Sequence, residues 1–258
     1  MNQFAVNIST IFTEFPFIER FQKAREAGFS LVECQFPYAY PLNQIRSALK
    51  ENNLTLVLIN LPPGDWEEGE RGIAIDPNKV ELFRESVLTG IEFAKTLHVS
   101  RLHCMAGIFL NKFEKKVARS TYIENLKFAA QKCNEFELTL LIEPINQEDM
   151  PNYYLSDLQD AADIIEEVGE PNLKLQFDFY HIQKTKGNLL SNFEKYFEKI
   201  GHVQIADVPG RHEPDTGEIH YKRVLEYLEE QKYEGYIGLE YTPKSSSLES
   251  FEWLKIYK

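Results

Sequence analysis

Short apolar runs alternate eight times with longer amphipathic segments, and this alternation constrains the fold more than any other feature of the sequence. The apolar runs predict strands near 4–8, 31–36, 54–61, 99–106, 138–142, 173–178, 202–206 and 236–240. Helical spacing of apolar residues predicts helices near 16–27, 41–52, 77–97, 115–136, 156–168, 189–199, 220–231 and 246–256.

Eight strand-then-helix units in 258 residues predict an α/β protein that forms a single (β/α)8 TIM barrel. No flexible linker or shift in composition interrupts the units, so we predict one domain over residues 1–258. The alternative is an open doubly wound sheet, which favours a glycine-rich phosphate loop after the first strand. The corresponding segment, 8–12, contains no glycine.

Local signals support several of these boundaries. Pro16 is typical of a helix start, and Gly28 of a helix end. Ser156 precedes Gln159 by three residues, which predicts a capping box at the start of the helix over 156–168. The segment 62–72 is a long, turn-rich loop after the third strand, and we expect it to be functional or to form a lid.

Charge and cysteine content limit the partners and the location of the protein. A net charge of −12 argues against nucleic acid as a partner. No apolar run of 18 residues predicts a membrane span, and the N-terminus lacks the pattern of a signal peptide. The three cysteines are far apart and form no Cys-x-x-Cys pair; we interpret Cys34 and Cys104 as buried thiols of a cytoplasmic protein.

Oxygen-bearing side chains follow four consecutive strands at or near their ends. The fifth strand ends on Glu143 and is stopped by Pro144, which cannot continue a central strand. The corresponding residues of the next three strands are Asp178, Gln204 and Glu240. Active sites of such barrels lie at the carboxyl ends of the strands, and an oxygen-only set suits Mg²⁺ or Mn²⁺. Alternatively, these are four unrelated polar residues that are solvated or bonded to loops.

Longer motifs run through the chain in a fixed order. They are Phe36-Pro37-Tyr38, Leu61-Pro62-Pro63-Gly64-Asp65-Trp66, Gly69-Glu70-Arg71-Gly72, Ile142-Glu143-Pro144-Ile145-Asn146, Gly201-His202-Val203-Gln204-Ile205-Ala206, Arg211-His212-Glu213-Pro214, Gly217-Glu218-Ile219 and Glu240-Tyr241. From Phe4 to the last helix, the chain resembles the hydroxypyruvate isomerase family, within the xylose-isomerase-like barrels.

The resemblance implies an enzyme that isomerises a short hydroxy-oxo acid, namely hydroxypyruvate to tartronate semialdehyde. It implies that Glu143 and Glu240 are the catalytic acid–base pair, and that Glu143, Asp178, Gln204 and Glu240 hold one divalent ion, Mg²⁺ or Mn²⁺. The implied chemistry is consistent, because moving a proton between adjacent carbons needs a base and an acid, and a metal stabilises the enediolate between them.

Further residues are candidates for substrate contact. The resemblance makes His181 a contact at the cavity mouth, with an ordinary loop histidine as the alternative. Arg211 could pair with the substrate carboxylate, and Arg71 is the competing candidate. Trp66 is a candidate lid residue, and Glu33 either reaches the mouth or is buried and paired elsewhere. We interpret His103 and His202 as core histidines with satisfied hydrogen bonds.

The substrate remains open between two sister groups. The segments 13–20 and 211–214 resemble the 2-oxo-tetronate isomerases, whereas 143–146 and 64–66 resemble hydroxypyruvate isomerase. Ile59 replaces a histidine that is expected in some hydroxypyruvate isomerases. The same barrel class would also suit a non-catalytic protein that binds sugar acids, or a metal-dependent endonuclease acting at abasic sites. The endonucleases use several zinc ions and many histidines, and this chain has six. A two-metal hydride shift is the mechanistic rival to proton transfer.

Overall fold

A computed structural model describes residues 3–257 and confirms the predicted barrel. Eight parallel strands pair in chain order, and β1 also pairs with β8, which closes the sheet. The strands are β1 (Gln3–Asn7), β2 (Leu31–Glu33), β3 (Thr55–Asn60), β4 (Arg101–His103), β5 (Thr139–Ile142), β6 (Leu173–Asp178), β7 (Ile200–Ile205) and β8 (Tyr236–Leu239). Closure removes the exposed edges that an open sheet would leave unpaired.

The helices pack around the barrel and bury their apolar faces against it. They are α1 (Phe17–Glu26), α2 (Leu42–Glu51), α3 (Val80–Leu97), α4 (Lys115–Asn134), α5 (Leu158–Val168), α6 (Phe179–Thr185), α7 (Leu189–Tyr196) and α8 (Tyr221–Glu230). Short 3-10 segments cover Pro37–Ala39 and Phe197–Lys199. The last predicted helix, 246–256, is instead a 3-10 segment over Glu249–Lys255.

Helix α6 was not predicted, and it begins directly at the end of β6 with no intervening loop. Asp178 makes this abrupt start feasible, because its carboxylate accepts a hydrogen bond from the backbone N–H of Tyr180 at 2.8 Å and so caps the helix. The same residue therefore ends a strand, caps a helix and lies at the barrel mouth. The pairing of β6 and the first turn of α6 together fix its backbone position.

The capping prediction for α5 was wrong by one residue. Asp157, not Ser156, is the N-cap, and its carboxylate accepts from the backbone N–H groups of Gln159 and Asp160 at 2.8 and 3.0 Å. Ser156 lies outside the helix, and its hydroxyl accepts from Gln147. The helix-end prediction at Gly28 is confirmed, because this glycine follows α1 with φ +94°, a conformation that side chains disfavour.

The cysteines are free and buried, as predicted for Cys34 and Cys104, and Cys133 is buried too. Among residues 3–257, no helix combines the length and the apolar composition needed to cross a membrane. Two register shifts interrupt the sheet, between Val32 and Glu33 and between Leu175 and Gln176. Such irregularities re-aim side chains, and Glu33 and Gln176 both belong to the polar layer described below.

Candidate active site

A cavity of about 110 Å³ opens at the carboxyl ends of the strands, where the fold predicts the active site. Its lining combines Asn60 of β3, His103 of β4 and Gln176 of β6 with residues from the segments that follow β2 to β8. The polar residues of this lining include His103, Glu143, Gln176, His181, Arg211 and Glu240. The structure thus brings both predicted catalytic glutamates and two of the predicted substrate contacts to one space.

Glu143, Asp178 and His181 form a buried group that could hold a metal ion, with one ligand atom of each lying within 4.8 Å of the others. His181 Nε2 is 3.6 Å from Asp178 Oδ2 and 3.9 Å from Glu143 Oε1. Glu143 Oε1 is buried and has no hydrogen-bond partner among the described residues. An unpaired buried carboxylate oxygen beside a second carboxylate fits a divalent cation.

The electrostatics of this group also fit a cation. Burial raises the pKa of Glu143 well above its usual range, and the charges of Asp178 and Glu240 raise it further. Burial raises the pKa of Asp178 to about 7 although Arg211 acts against it. The pKa of Glu240 is raised by burial as well. Without a cation among them, these carboxylates resist ionisation.

Arg211 is the positive charge that the structure places beside two of the predicted metal ligands. Its Nη2 donates to Glu240 Oε2 at 2.6 Å and lies 3.5 Å from Asp178 Oδ2. The guanidinium also lies over the ring of Tyr180, with 5.1 Å between Arg211 Cζ and the ring centroid. Arg211 therefore lines the cavity, as predicted, but in this structure its partners are carboxylates of the protein.

The loop that carries Arg211 is held by Asp207. The Asp207 carboxylate accepts from the backbone N–H groups of Val208, Gly217 and Ile219 at 2.9, 2.9 and 3.0 Å. Gly217 is required here, because a Cβ atom would lie 1.9 Å from the carbonyl oxygen of Val208. These hydrogen bonds tie the beginning of the loop to its end, and Arg211 lies between the two with a positive φ.

Arg71, the competing candidate, is not brought to the cavity. Its guanidinium lies 3.7 Å from the ring centroid of Trp66, and its Nη1 donates to the backbone carbonyl groups of Trp66 and Glu70. Trp66 itself lines the cavity and packs on Phe36 with 5.2 Å between ring centroids. The lid role of Trp66 stays a prediction.

Gln204 lies in a buried polar layer of the barrel interior, which it forms with Asn7, Glu33 and Gln176. Its Oε1 accepts from Gln176 Nε2 at 2.7 Å, and its Nε2 donates to Glu33 Oε1 at 2.8 Å. Because an amide oxygen has two lone pairs, one of them remains open to a further partner. Metal ligation by Gln204 stays a prediction.

This polar layer links the two glutamates. Gln176 Nε2 also donates to Glu143 Oε2 at 3.0 Å, and Asn7 Nδ2 donates to Glu240 Oε1 at 2.8 Å and lies 3.3 Å from Glu33 Oε1. A continuous chain of hydrogen bonds therefore runs between the strands β5 and β8 through the barrel interior. Sequence reasoning missed Gln176 and Asn7. For Gln176 a signal exists, because it shares a strand face with Asp178 two residues on.

The predictions for Glu33, His202 and His103 have different outcomes. Glu33 is fully buried, and its Oε2 lies 2.8 Å from His202 Nε2, so it is the buried, paired acid of the two alternatives. The interpretation of His202 as a hydrogen-bonded core histidine is confirmed at Nε2, whereas its Nδ1 has no partner among the described residues.

For His103 that interpretation was wrong. Its Nε2 has no hydrogen-bond partner among the described residues, lies 3.7 Å from Glu143 Oε2, and belongs to a ring that lines the cavity. Burial lowers the pKa of His103 to about 3, so the ring is neutral. The error arose because a histidine inside a short strand can face the lumen mouth as readily as the packed core.

His181 is buried and contacts Asn146. The distance from Asn146 Nδ2 to His181 Nδ1 is 2.7 Å. Burial lowers the pKa of His181 well below its usual range, and Arg211 lowers it further, so this ring is neutral too. Asn146 was not singled out from the sequence, although it belongs to the segment 142–146.

The arrangement has the elements of acid–base chemistry. The carboxyl groups of Glu143 and Glu240, both with raised pKa, face one small cavity, and Glu143 also belongs to the buried group that could hold a metal ion. Carboxylates with raised pKa can both accept and donate protons near neutral pH.

Comparisons with known proteins agree with this geometry. The family model described as "Xylose isomerase-like TIM barrel" matches residues 21–257. Hydroxypyruvate isomerase of Escherichia coli (strain K12) is 40% identical over 258 residues, covering 100% of both chains. 2-Oxo-tetronate isomerase of Cupriavidus necator is 42% identical over 257 residues, covering 100% of this chain and 99% of the relative.

A solved structure is similar as well. The crystal structure of a protein named AP endonuclease, family 2, from Brucella melitensis is 41% identical, has a TM-score of 0.97 and covers 100% of both chains. The chain therefore belongs to the xylose isomerase-like TIM barrel family, beside relatives named hydroxypyruvate isomerase and 2-oxo-tetronate isomerase, and it is an isomerase.

Proposed function

We propose that the protein interconverts the aldose and ketose forms of a short hydroxy-oxo acid, with hydroxypyruvate to tartronate semialdehyde as the reaction. The observation that carries the proposal is the pair Glu143 and Glu240, which line one cavity and both have a raised pKa. In this reaction one carboxylate removes a proton from C3 of the substrate, and an enediolate forms between C3 and C2. A proton is then delivered to C2, and the hydroxyl proton moves between the two oxygens.

One divalent ion, Mg²⁺ or Mn²⁺, is part of the proposal. Glu143, Asp178, Gln204 and Glu240 would hold it, in line with the oxygen ligands that such ions prefer. The unpaired Oε1 of Glu143 supports this set most directly. When bound, the ion stabilises the negative charge that develops on the substrate oxygens. The protein side chains bind, orient and exchange protons around it.

Arg211 is proposed to bind the substrate carboxylate. A guanidinium can hold a carboxylate through two parallel hydrogen bonds, and Arg211 already engages carboxylate oxygens at the cavity. His181 is proposed as a second polar contact. The cavity volume of about 110 Å³ supports a small acid, since sites for drug-sized ligands are typically several times larger.

A four-carbon substrate is the second candidate. The relative from C. necator, named 2-oxo-tetronate isomerase, is as similar to this chain as the relative named hydroxypyruvate isomerase. Both substrates present the same reacting atoms, and they differ in the carbon beyond them. The predicted cytoplasmic location also stays a proposal, and three buried free thiols are consistent with it.

The name of the Brucella protein raises endonuclease activity as another function for this fold. Two observations favour the isomerase over it. The net charge of −12 opposes binding of a nucleic acid, and within residues 3–257 the group of side chains placed to hold a metal contains a single histidine. A site with several zinc ions needs more nitrogen ligands.

The test is a side-by-side assay of hydroxypyruvate and a 2-oxo-tetronate, with EDTA and then with added Mg²⁺ or Mn²⁺. We expect turnover of at least one acid that EDTA abolishes and the metal restores, and the ratio of the two kcat/KM values assigns the substrate. Turnover of neither acid with either metal would refute the proposed function. Turnover that survives complete metal removal would refute the metal requirement.

A further inference from the structure

We infer that Asn146 fixes the tautomer of His181, so that His181 presents an Nε2–H donor to the cavity and no metal-ligating lone pair. Asn146 is then a positioning residue that acts through the imidazole ring. The part that concerns the substrate rests on the proposed function, whereas the tautomer is a property of the protein alone.

The orientation of the Asn146 amide is set by its own loop. Its Oδ1 accepts from the backbone N–H groups of Glu148 and Asp149 at 3.1 and 2.9 Å. The amide oxygen and nitrogen are assigned by their hydrogen bonds, and two backbone donors require an oxygen at this position. The amide nitrogen therefore faces the opposite way, where it lies 2.7 Å from His181 Nδ1.

A second donor points at the same ring nitrogen. The backbone N–H of Asn146 is directed to His181 Nδ1 at 3.5 Å, the outer limit of a hydrogen bond. A main-chain N–H cannot exchange its role with an oxygen. Two donors that converge on Nδ1 require a lone pair there, and a neutral imidazole with a lone pair on Nδ1 carries its proton on Nε2.

The surroundings of Nε2 favour the same tautomer. The carboxylate oxygens Glu143 Oε1 and Asp178 Oδ2 lie 3.9 and 3.6 Å from it. When these two groups are ionised, a polarised N–H is attracted by their oxygens, whereas a lone pair would be repelled by them. The ring is thus oriented by donors on one side and by acceptors on the other.

Two consequences follow for the site. A protonated Nε2 cannot ligate a metal, so the ion is left to the oxygens of Glu143 and Asp178 and their predicted partners, which suits Mg²⁺ or Mn²⁺. The Nε2–H remains free to donate to a substrate oxygen that gains negative charge as the enediolate forms. Donors placed at developing charge are among the larger contributors to catalysis.

The tautomer can be measured directly by long-range ¹H–¹⁵N correlation NMR of protein labelled with ¹⁵N-histidine. The chain has six histidines, and the His181→Gln variant identifies the signals of His181 by their loss. We expect protonated Nε2 and unprotonated Nδ1 in the metal-free protein, unchanged after addition of Mg²⁺. A proton on Nδ1, or conversion of Nε2 to a metal-bound nitrogen, would overturn the inference.

The variant Asn146→Asp tests the positioning role. It keeps an oxygen for the N–H groups of Glu148 and Asp149, but it places a carboxylate oxygen against His181 Nδ1. We expect Nδ1 to become protonated, and kcat to fall by about 100-fold, as when a donor to developing charge is lost or misdirected. Gln147→Glu is the matched control, because it adds the same charge on an exposed neighbour whose side-chain amide donates to Tyr153 and Ser156 and not to the His181 ring.

The control should keep both the tautomer and the rate of the natural sequence. If Asn146→Asp also kept both, Asn146 would not position His181. Should Asn146→Asp fail to fold, the spectrum of the unaltered protein still decides the tautomer. Absence of turnover on either acid in the unaltered protein would refute the proposed function without changing the NMR result, so the two failures are distinguishable.

Discussion

Arg211 Nη2 donates to Glu240 Oε2 at 2.6 Å, which joins the predicted carboxylate-binding cation to one of the two predicted proton carriers. Arg211 also acts to lower the pKa of Glu240, against the larger effect of burial. The same guanidinium is within 3.5 Å of Asp178. Binding of an anionic substrate by Arg211 would therefore change the surroundings of both carboxylates at once.

We predict that Arg211→Ala raises KM by about 10- to 100-fold, because hydrogen bonds to charged groups contribute about 1.5–3 kcal/mol. Arg71→Ala is the matched comparison, and it should change KM by less than about fivefold, since an exposed cation–π contact contributes about 0.5–1 kcal/mol. Steady-state kinetics on the better of the two acids measures both. The reverse order of effects would make Arg71 the substrate-binding cation.

Glu143→Gln and Glu240→Gln should each lower kcat by at least about 100-fold, the usual scale of a lost general acid or base. The barrel should remain folded, since each change keeps the size and planarity of the side chain. Circular dichroism and thermal unfolding check the fold, and Glu148→Gln, on an exposed loop glutamate, serves as the control. Near-normal kcat in either site variant would remove that residue from the pair.

Gln176→Met should lower kcat by about 10- to 100-fold, the range seen when a hydrogen-bond partner of a site ligand is lost. The reason is that Gln176 donates to both Glu143 and Gln204 with one amide nitrogen, and methionine fills the volume without donating. The effect should nearly vanish in the background of Glu143→Gln, because the oxygen being oriented is then no longer a carboxylate. Additive effects in the double variant would contradict this coupling.

The raised carboxyl pKa values predict how stability depends on pH. The folded protein holds protons on Glu143, Asp178 and Glu240 that the unfolded chain releases, so the metal-free protein should lose stability as pH rises from about 4.5 through 7. The loss should be on the order of a few kcal/mol. Urea unfolding at pH 5.0 and 7.5 with EDTA measures it.

Two comparisons control that measurement. Asp178→Asn should show a smaller loss over the same interval, because one of the titrating groups is removed. Added Mg²⁺ or Mn²⁺ should restore stability at pH 7.5, where the ligands are ionised, by more than at pH 5.0. A metal-free protein that gains stability between pH 5.0 and 7.5 would show that these carboxylates are ionised in the folded state.

Much of the fold could be predicted from the sequence because periodicity is a local property. The strand over 138–142 and the stop at Pro144 follow from apolar pattern and proline chemistry alone. Glu143, His181, Arg211 and Glu240 were also predicted to share one mouth, and all four line the cavity. Chain order in a closed barrel places strand ends together, so this convergence needs no knowledge of side-chain contacts.

The remaining features depend on contacts between residues far apart in sequence. Asn7 reaches Glu240 across 233 positions of the chain, and Asn146 reaches His181 across 35. His103 faces the cavity because of its place in the strand register, which periodicity in a three-residue strand does not fix. The final 3-10 segment, Glu249–Lys255, has helical composition, and its tighter winding was not predicted.

The central claim is that Glu143 and Glu240 transfer a proton between adjacent carbons of a short hydroxy-oxo acid. It is tested most directly by running the reaction in D₂O and measuring deuterium at the reacting carbon of the product by NMR at early times, against an enzyme-free control. We predict deuterium in the product of the unaltered enzyme, and almost no labelled product from Glu143→Gln or Glu240→Gln. Product that forms at the normal rate with no deuterium from the solvent would contradict the account and indicate a hydride shift.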